Sequence, residues 1–193
     1  MRYGGGGDPY VYPGTAVLKN RADIRDAGAL TEFETTMYRD RADGPFPDGR
    51  LDKPHYYALH RHLFQDVYEW AGKPRTIRIG KGGNWFCFPD FIDSELDRVF
   101  AELRTKRHLV GLDLDQFAYE AAWFLSETNA IHPFREGNGR TQLAFLRLLC
   151  LNAGFAFNVM VLERERAIAA MIDSFDRRFD ALTALIRDLA AQS

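Results

Sequence analysis

The stretch Leu143-Ala144-Phe145-Leu146-Arg147-Leu148-Leu149-Cys150 carries a single charge and is apolar on nearly every side of a helix. A helix without a polar face is stable in water only when other elements cover it, so this segment belongs in the centre of a bundle. It cannot be a membrane span, because no apolar run in the chain reaches the roughly 20 residues a bilayer requires. Helical spacing dominates the remainder. Leu30, Phe33, Met37 and Tyr38 recur at that spacing between Asp26 and Arg41, and Pro54 opens a helix whose stripe is His60, Leu63, Phe64, Val67 and Tyr68. Asp113 or Asp115 can cap a further helix with Leu114, Phe117, Ala118, Ala121, Phe124, Leu125 and Thr128 on one side.

One segment breaks this pattern. Ile77 and Ile79 alternate with Thr76 and Arg78, Gly80-Lys81-Gly82-Gly83 turns the chain, and Phe86 and Phe88 follow, which is a β-hairpin pattern with glycines at its tip. The expected architecture is therefore mainly α: a single domain over 1–193, built as a helical bundle with one short β-hairpin. Its parts are an N-terminal arm (1–25), a helix (54–71), the hairpin (76–88), a helix–loop–helix core (113–153) and C-terminal helices (163–190).

A hydrophobic fraction of 46% with 13% aromatic residues supplies a packed core. The net charge is −2, whereas a protein that grips nucleic acid by its phosphates carries a basic excess, so no direct nucleic-acid binding is expected. Cys87 and Cys150 are far apart and show no C-x-x-C pattern, which points to reduced thiols in cytosol rather than a zinc site. The first residues, Met1-Arg2-Tyr3 and four glycines, contain no apolar h-region of a secretory signal. The expected location is the bacterial cytoplasm, with translocation into a host cell as an open alternative.

Chemistry concentrates between the two central helices, in His132-Pro133-Phe134-Arg135-Glu136-Gly137-Asn138-Gly139-Arg140. Glycines at a helix N-terminus let backbone N–H groups turn inward, and the helix end adds partial positive charge, so Gly137, Asn138 and Gly139 form an anion site suited to phosphate. Asn138 adds an amide and tolerates left-handed geometry. Arg140 opposes the helix dipole from the first turn, which makes sense if it faces a polyanion. Glu136, the lone acid beside this nest, suits Mg²⁺ shared with phosphate oxygens. His132, at the end of the preceding helix, can accept a proton near neutral pH. Phe134 pins the loop into the core. Taken singly, each residue has an ordinary structural explanation; all of them within nine residues do not.

This string resembles the signature of the Fic family, H-x-F-x-[DE]-G-N-G-R-x-x-R, at every specified position except the last. Tyr12-Pro13-Gly14-Thr15 and the run from His60 to Gly72 also resemble family landmarks, as in a short stand-alone toxin-like or effector-like member. The resemblance implies a hairpin flap over an active site, and an enzyme that transfers AMP from ATP to a Tyr, Thr or Ser hydroxyl of a target protein, with release of pyrophosphate. It further implies His132 as the base, Glu136 as the Mg²⁺ ligand, and Gly137, Asn138, Gly139 and Arg140 as nucleotide-binding residues. The flap residues Ile77, Arg78, Ile79, Gly80, Lys81, Gly82 and Gly83 would align the target's extended segment by strand addition.

The departure is Leu143, which stands where the family carries a second arginine. It leaves open weaker ATP binding, a donor other than ATP, or a loop that binds nucleotide but transfers poorly, and with the last a degenerate nucleotide-binding or interaction module. A Doc-like phosphotransferase on the same scaffold is the other alternative. The implied partners are a target protein (a bacterial type II topoisomerase subunit or another hydroxyl-bearing protein) and a small inhibitory antitoxin. No inhibitory [ST]-x-x-x-E-[GN] helix occurs in the chain itself.

Overall fold

A computed structural model describes residues 2–3, 7–81 and 83–190. Gly82, named above at the hairpin tip, lies outside them. The described residues are mainly α, with a three-stranded antiparallel sheet. They fall into two compact units: residues 1–93 with 132–141, and residues 94–131 with 142–193.

The first unit holds α1 (Ala27–Asp43) and α2 (Lys53–Phe64). The Asp26 side chain caps α1 by accepting from the Ala29 N–H, and Asp52 caps α2 by accepting from His55. The two helices pack through Tyr38 against Phe64 and a hydrogen bond from His62 Nε2 to the Arg41 carbonyl, and a bidentate Arg41–Asp66 pair at 2.6 and 2.9 Å ties α1 to the turn after α2. Tyr56, Leu59, Leu63 and Phe64 make the buried face of α2.

The helical pattern expected over 54–71 stops at Phe64, because side chains and loops claim the groups that would continue it. Asp66 is drawn to Arg41, the Val67 carbonyl accepts from the Arg21 N–H, and the Gly72 N–H goes to the His60 ring instead of a carbonyl one turn back. Val67, Tyr68 and Ala71 are nevertheless buried, as a helical stripe would have made them.

The hairpin consists of β2 (Ile79–Lys81) and β3 (Asn84–Trp85). A strand the hydrophobic pattern does not signal, β1 (Arg2–Tyr3), pairs antiparallel with β2, placing Arg2 opposite Gly80 and Tyr3 opposite Ile79. Two residues cannot display a period of two, so backbone pairing alone makes this strand. The arm that follows is held by a Val11–Leu18 bridge and by Tyr10, whose ring meets Trp70 edge-on.

The second unit contains α3 from Ser94 onward (Ile92–Thr105 in full), α4 (Leu114–Ile131), α5 from Gln142 onward (Asn138–Ala153 in full), α6 (Arg164–Phe175) and α7 (Asp180–Leu189). Asp113 caps α4 by accepting from Gln116, and Gly154, at φ +87°, follows the end of α5. α4 packs on α6 and α7. The apolar segment of α5 is buried as expected: Phe145, Leu149 and Cys150 are fully enclosed, and Phe145 meets Phe100 and Phe124 at 5.6 and 5.3 Å between ring centroids. Both cysteines are free thiols, and burial pushes Cys150 up to about 12. Among the described residues no helix is long and apolar enough to cross a membrane.

Removing the Phe145 ring should cost about 3–5 kcal/mol of unfolding free energy, the range for emptying an aromatic site in a closed core. Leu151→Ala, on the same helix but 54% exposed, should stay within about 0.5 kcal/mol. Urea denaturation of both variants beside the parent checks the pair.

Candidate active site

The loop from His132 to Gly137 leads into the first turn of α5, and all of it belongs to the first unit. Two of its residues take left-handed backbone geometry, His132 at φ +50° and Gly137 at φ +81°. Gly137 is obligatory. A Cβ there would lie 2.5 Å from the Phe64 ring, and the positive φ adds strain for any other residue. Asn138 does not carry the left-handed turn, as its type alone suggested. Its side chain instead closes a ring with the loop: Oδ1 accepts from the Phe134 N–H at 2.9 Å and Nδ2 donates to the Phe134 carbonyl at 2.8 Å. At 3% exposure, this amide serves the loop's own shape.

Phe134 is fully buried and stacks on the His60 ring at 3.7 Å. His60 Nε2 meets the Glu136 carbonyl at 3.0 Å, and Nδ1 accepts from the Gly72 N–H at 2.8 Å, which assigns the proton to Nε2. Burial lowers the imidazole to about 3, against the smaller upward pull of its bond to Glu136 and helped by nearby Arg140. His60 is thus a neutral brace beneath the loop. It was legible as part of a helical stripe and not as a site residue.

Arg75 is a second brace that the sequence pattern does not reveal. It is 2% exposed, and its backbone N–H donates to the Pro133 carbonyl at 2.8 Å. Its Nε donates to the His132 carbonyl at 2.8 Å, Nη1 to Ile77 and Nη2 to Cys87, both at 2.6 Å. One guanidinium therefore ties the loop to both arms of the hairpin. Burial lowers it to about 10, so it stays charged at neutral pH. Arg135 is the third: Nε and Nη2 both reach Asp8 Oδ2, at 3.0 and 2.7 Å, with each side chain 3% exposed. That pair fastens the N-terminal arm to the loop.

The residues expected to carry the chemistry are less enclosed. The half-buried His132 ring lies flat against Phe86 at 3.8 Å, so the hairpin reaches the residue expected to act as base. Glu136 Oε1 accepts from the Gly137 N–H at 3.0 Å and lies 3.8 Å from Arg140 Nη2. Gly139 is exposed, and a Cβ on it would meet nothing within 4 Å. Arg140 Nη2 donates to Glu34 Oε1 at 2.6 Å. The cation expected to face a polyanion is thus also paired within the protein, to an acid on α1 that nothing in the sequence connects to it. Leu143 is half-buried in α5.

In the hairpin, both backbone edges of β2 are occupied, by β1 and β3. Ile79 is fully buried, and Gly80 leaves no room for a side chain, since a Cβ would stand 2.6 Å from the Asn84 carbonyl. Ile77 and Arg78 are half-buried and Gly83 is exposed at φ +93°. The exposed apolar surface belongs to Trp85 and Phe88, and the Arg78 guanidinium lies over both rings at 4.7 and 3.7 Å. Among the described residues the outer edges of the sheet belong to β1 and β3, and that of β3 lies one strand beyond the residues the pattern points to.

The sequence profile of the Fic/DOC family matches residues 50–150. A protein of Sinorhizobium fredii named "Probable protein adenylyltransferase y4lH" is 54% identical over 188 residues, taking in 97% of this chain and 98% of that protein. The chain belongs to the Fic/DOC family. Another member, Protein adenylyltransferase VbhT of Bartonella schoenbuchensis, is 36% identical over 96% of this chain, which spans 40% of that protein. Among solved Fic structures, the BepC effector protein of Bartonella tribocorum with bound AMPPNP matches with a TM-score of 0.88 at 26% identity, covering 95% of this chain and 97% of that one.

The His60 brace makes stability in this Fic/DOC chain depend on pH. Its folded value lies below the ordinary 6.5, so on acidification the unfolded chain takes up a proton that the folded chain refuses. The stabilisation is complete above about pH 6.5 and drains as pH falls toward 3, with a slope approaching about 1.4 kcal/mol per pH unit. Urea unfolding across that window should show this slope in the parent and lose it in His60→Gln; equal slopes in both would exclude the neutral brace.

Proposed function

We propose that this chain is a protein adenylyltransferase: it moves AMP from ATP to a Tyr, Thr or Ser hydroxyl of a target protein. The observation that carries the reading is the set His132, Glu136, Gly139 and Arg140 on one braced loop and helix N-terminus, in a chain 54% identical to a protein named for that activity. The AMPPNP in the BepC structure supports an adenine nucleotide as donor.

His132 takes the proton of the target hydroxyl. The hydroxyl oxygen bonds to the α-phosphorus, the bond from that phosphorus to the bridging oxygen breaks, and pyrophosphate leaves. The Gly139 N–H lies in the first turn of α5, where the leading N–H groups of a helix have no carbonyl one turn back, and it would hold the charge that develops. The open space at Gly139 lets phosphate approach the backbone closely. The Gly137 N–H is already given to Glu136, and the Asn138 amide to Phe134, so their part in nucleotide binding is to shape the loop. Arg140 binds the outer phosphates, and with Leu143 in the second arginine position it carries that duty without the family's usual partner.

Glu136 fits a divalent ion. Its contacts among the described residues run through Oε1, which leaves Oε2 as a ligand, and Mg²⁺ characteristically binds one or two carboxylates together with phosphate oxygens. When bound, Mg²⁺ supplies charge neutralisation at the phosphates. The exposed edge of β3 and the rings of Trp85 and Phe88 receive the target's extended segment. The reading includes a cytoplasmic site of action, a bacterial target such as a type II topoisomerase subunit, and control by a small antitoxin.

The purified protein with Mg²⁺ and α-³²P-ATP in bacterial lysate should label a target band. His132→Ala should cut the label by about 10²–10⁴-fold, the contribution of a general base. Chelating the metal should abolish it. Transfer of a γ-label instead would indicate a Doc-like phosphotransferase, and nucleotide binding without transfer of any label would indicate a binding module.

A further inference from the structure

Arg140 is held from outside the motif, by a residue on α1. Glu34 Oε1 accepts from Arg140 Nη2 at 2.6 Å, and the other oxygen, Oε2, accepts from the Tyr68 hydroxyl. Glu34 is 13% exposed, so both oxygens of a largely desolvated carboxylate are committed. Burial, followed by the Glu34 charge, raises Tyr68 and keeps its hydroxyl protonated as a donor. Tyr68 is itself fixed, stacked on Trp70 at 4.3 Å. On the other side, the Arg140 guanidinium carbon lies 4.6 Å from the Phe64 ring centre and 5.2 Å from that of Tyr38.

A carboxylate facing a proposed phosphate ligand can either compete with phosphate or aim the arginine. Three features favour aiming. The Glu34 contact uses one nitrogen, Nη2, and the 3.8 Å approach of Glu136 falls on the same nitrogen, so Nη1 and Nε are not spent on either acid. Tyr68 tethers Glu34, which therefore does not swing away as a displaced competitor would. The aromatic shelf beneath the guanidinium removes much of the rotamer freedom a long side chain would otherwise lose on binding ligand. Glu34 also offsets the cost of a cation in the first turn of α5.

We infer that Glu34, anchored by Tyr68, is a positioning residue for nucleotide binding, holding Arg140 by Nη2 so that its remaining N–H groups meet the donor's phosphates. The inference rests on Arg140 being a phosphate ligand, as proposed above. It is tested by titrating AMPPNP into the full chain and by measuring KM and kcat for ATP in the labelling reaction, for the parent, Glu34→Gln, Tyr68→Phe and Arg140→Ala.

Glu34→Gln should weaken AMPPNP binding and raise KM by about tenfold, the weight of one charge-assisted hydrogen bond, with kcat within about twofold. Tyr68→Phe keeps the carboxylate and should give a smaller change in the same direction, about threefold. A merely structural Glu34 would lower the melting temperature of Glu34→Gln and leave KM unmoved, which overturns the inference. Tighter nucleotide binding by Glu34→Gln also overturns it, and marks Glu34 as a competitor. If Arg140→Ala weakens binding while both other variants match the parent, only the positioning role fails. If Arg140→Ala itself binds nucleotide like the parent, the reading of Arg140 fails, and the inference with it.

Discussion

The loop that carries the proposed catalytic residues is supported from beneath by the neutral imidazole of His60. Its ring fills the space under Phe134, one nitrogen supports the Glu136 carbonyl, and the other receives the Gly72 N–H. A protonated ring could not accept from Gly72, and a ring without its Nε2 proton could not support Glu136. The enclosure that depresses its basicity is therefore the condition for its structural role. Phe64 completes the seat from α2, close enough that residue 137 must be glycine. The most constrained backbone of the motif is set by aromatic and imidazole packing, before any ligand is considered.

The three arginines in contact with this loop divide the labour by depth. Arg75 and Arg135 are almost fully buried and act on the scaffold, one gripping backbone carbonyls of the loop and both hairpin arms, the other paired to Asp8 of the arm. Buried ions cost desolvation and repay it only with complete hydrogen bonding, which suits a part that must not move. Arg140 stands at 29% side-chain exposure, where a guanidinium can still exchange water for phosphate. Its partner Glu34, and the Tyr68 that holds Glu34, come from elements far from the motif in sequence, so the electrostatics of the proposed phosphate site are assembled from α1, the turn after α2 and α5 together.

Much of this was legible in the residues. The apolar faces of α1, α4 and α5, the Asp113 cap, the presence of a hairpin and the motif all follow from local pattern, because helix periodicity and capping are short-range effects, although Gly80 and Lys81, expected in the turn, belong to β2. What escaped was long-range. The end of α2 at Phe64 depends on acceptors and donors supplied by Arg41, Arg21 and His60, and β1 exists through pairing alone. The buried position of Ile79 and the open edge at β3 follow from that third strand and its neighbours, not from alternation in the hairpin.

Residue pattern alone fixes the helical class, the place of the motif between two apolar helices, and the membership of a family whose signature it matches at all but one position. These depend on residue type and spacing over a few turns of chain. That Asn138 closes the loop, that Arg75 couples loop to hairpin, and that Glu34 meets Arg140 across 106 residues of sequence is visible in the folded chain alone. Those contacts are made by single side chains whose partners are chosen by packing, and a carboxylate on an amphipathic helix carries no local mark of which cation it will meet.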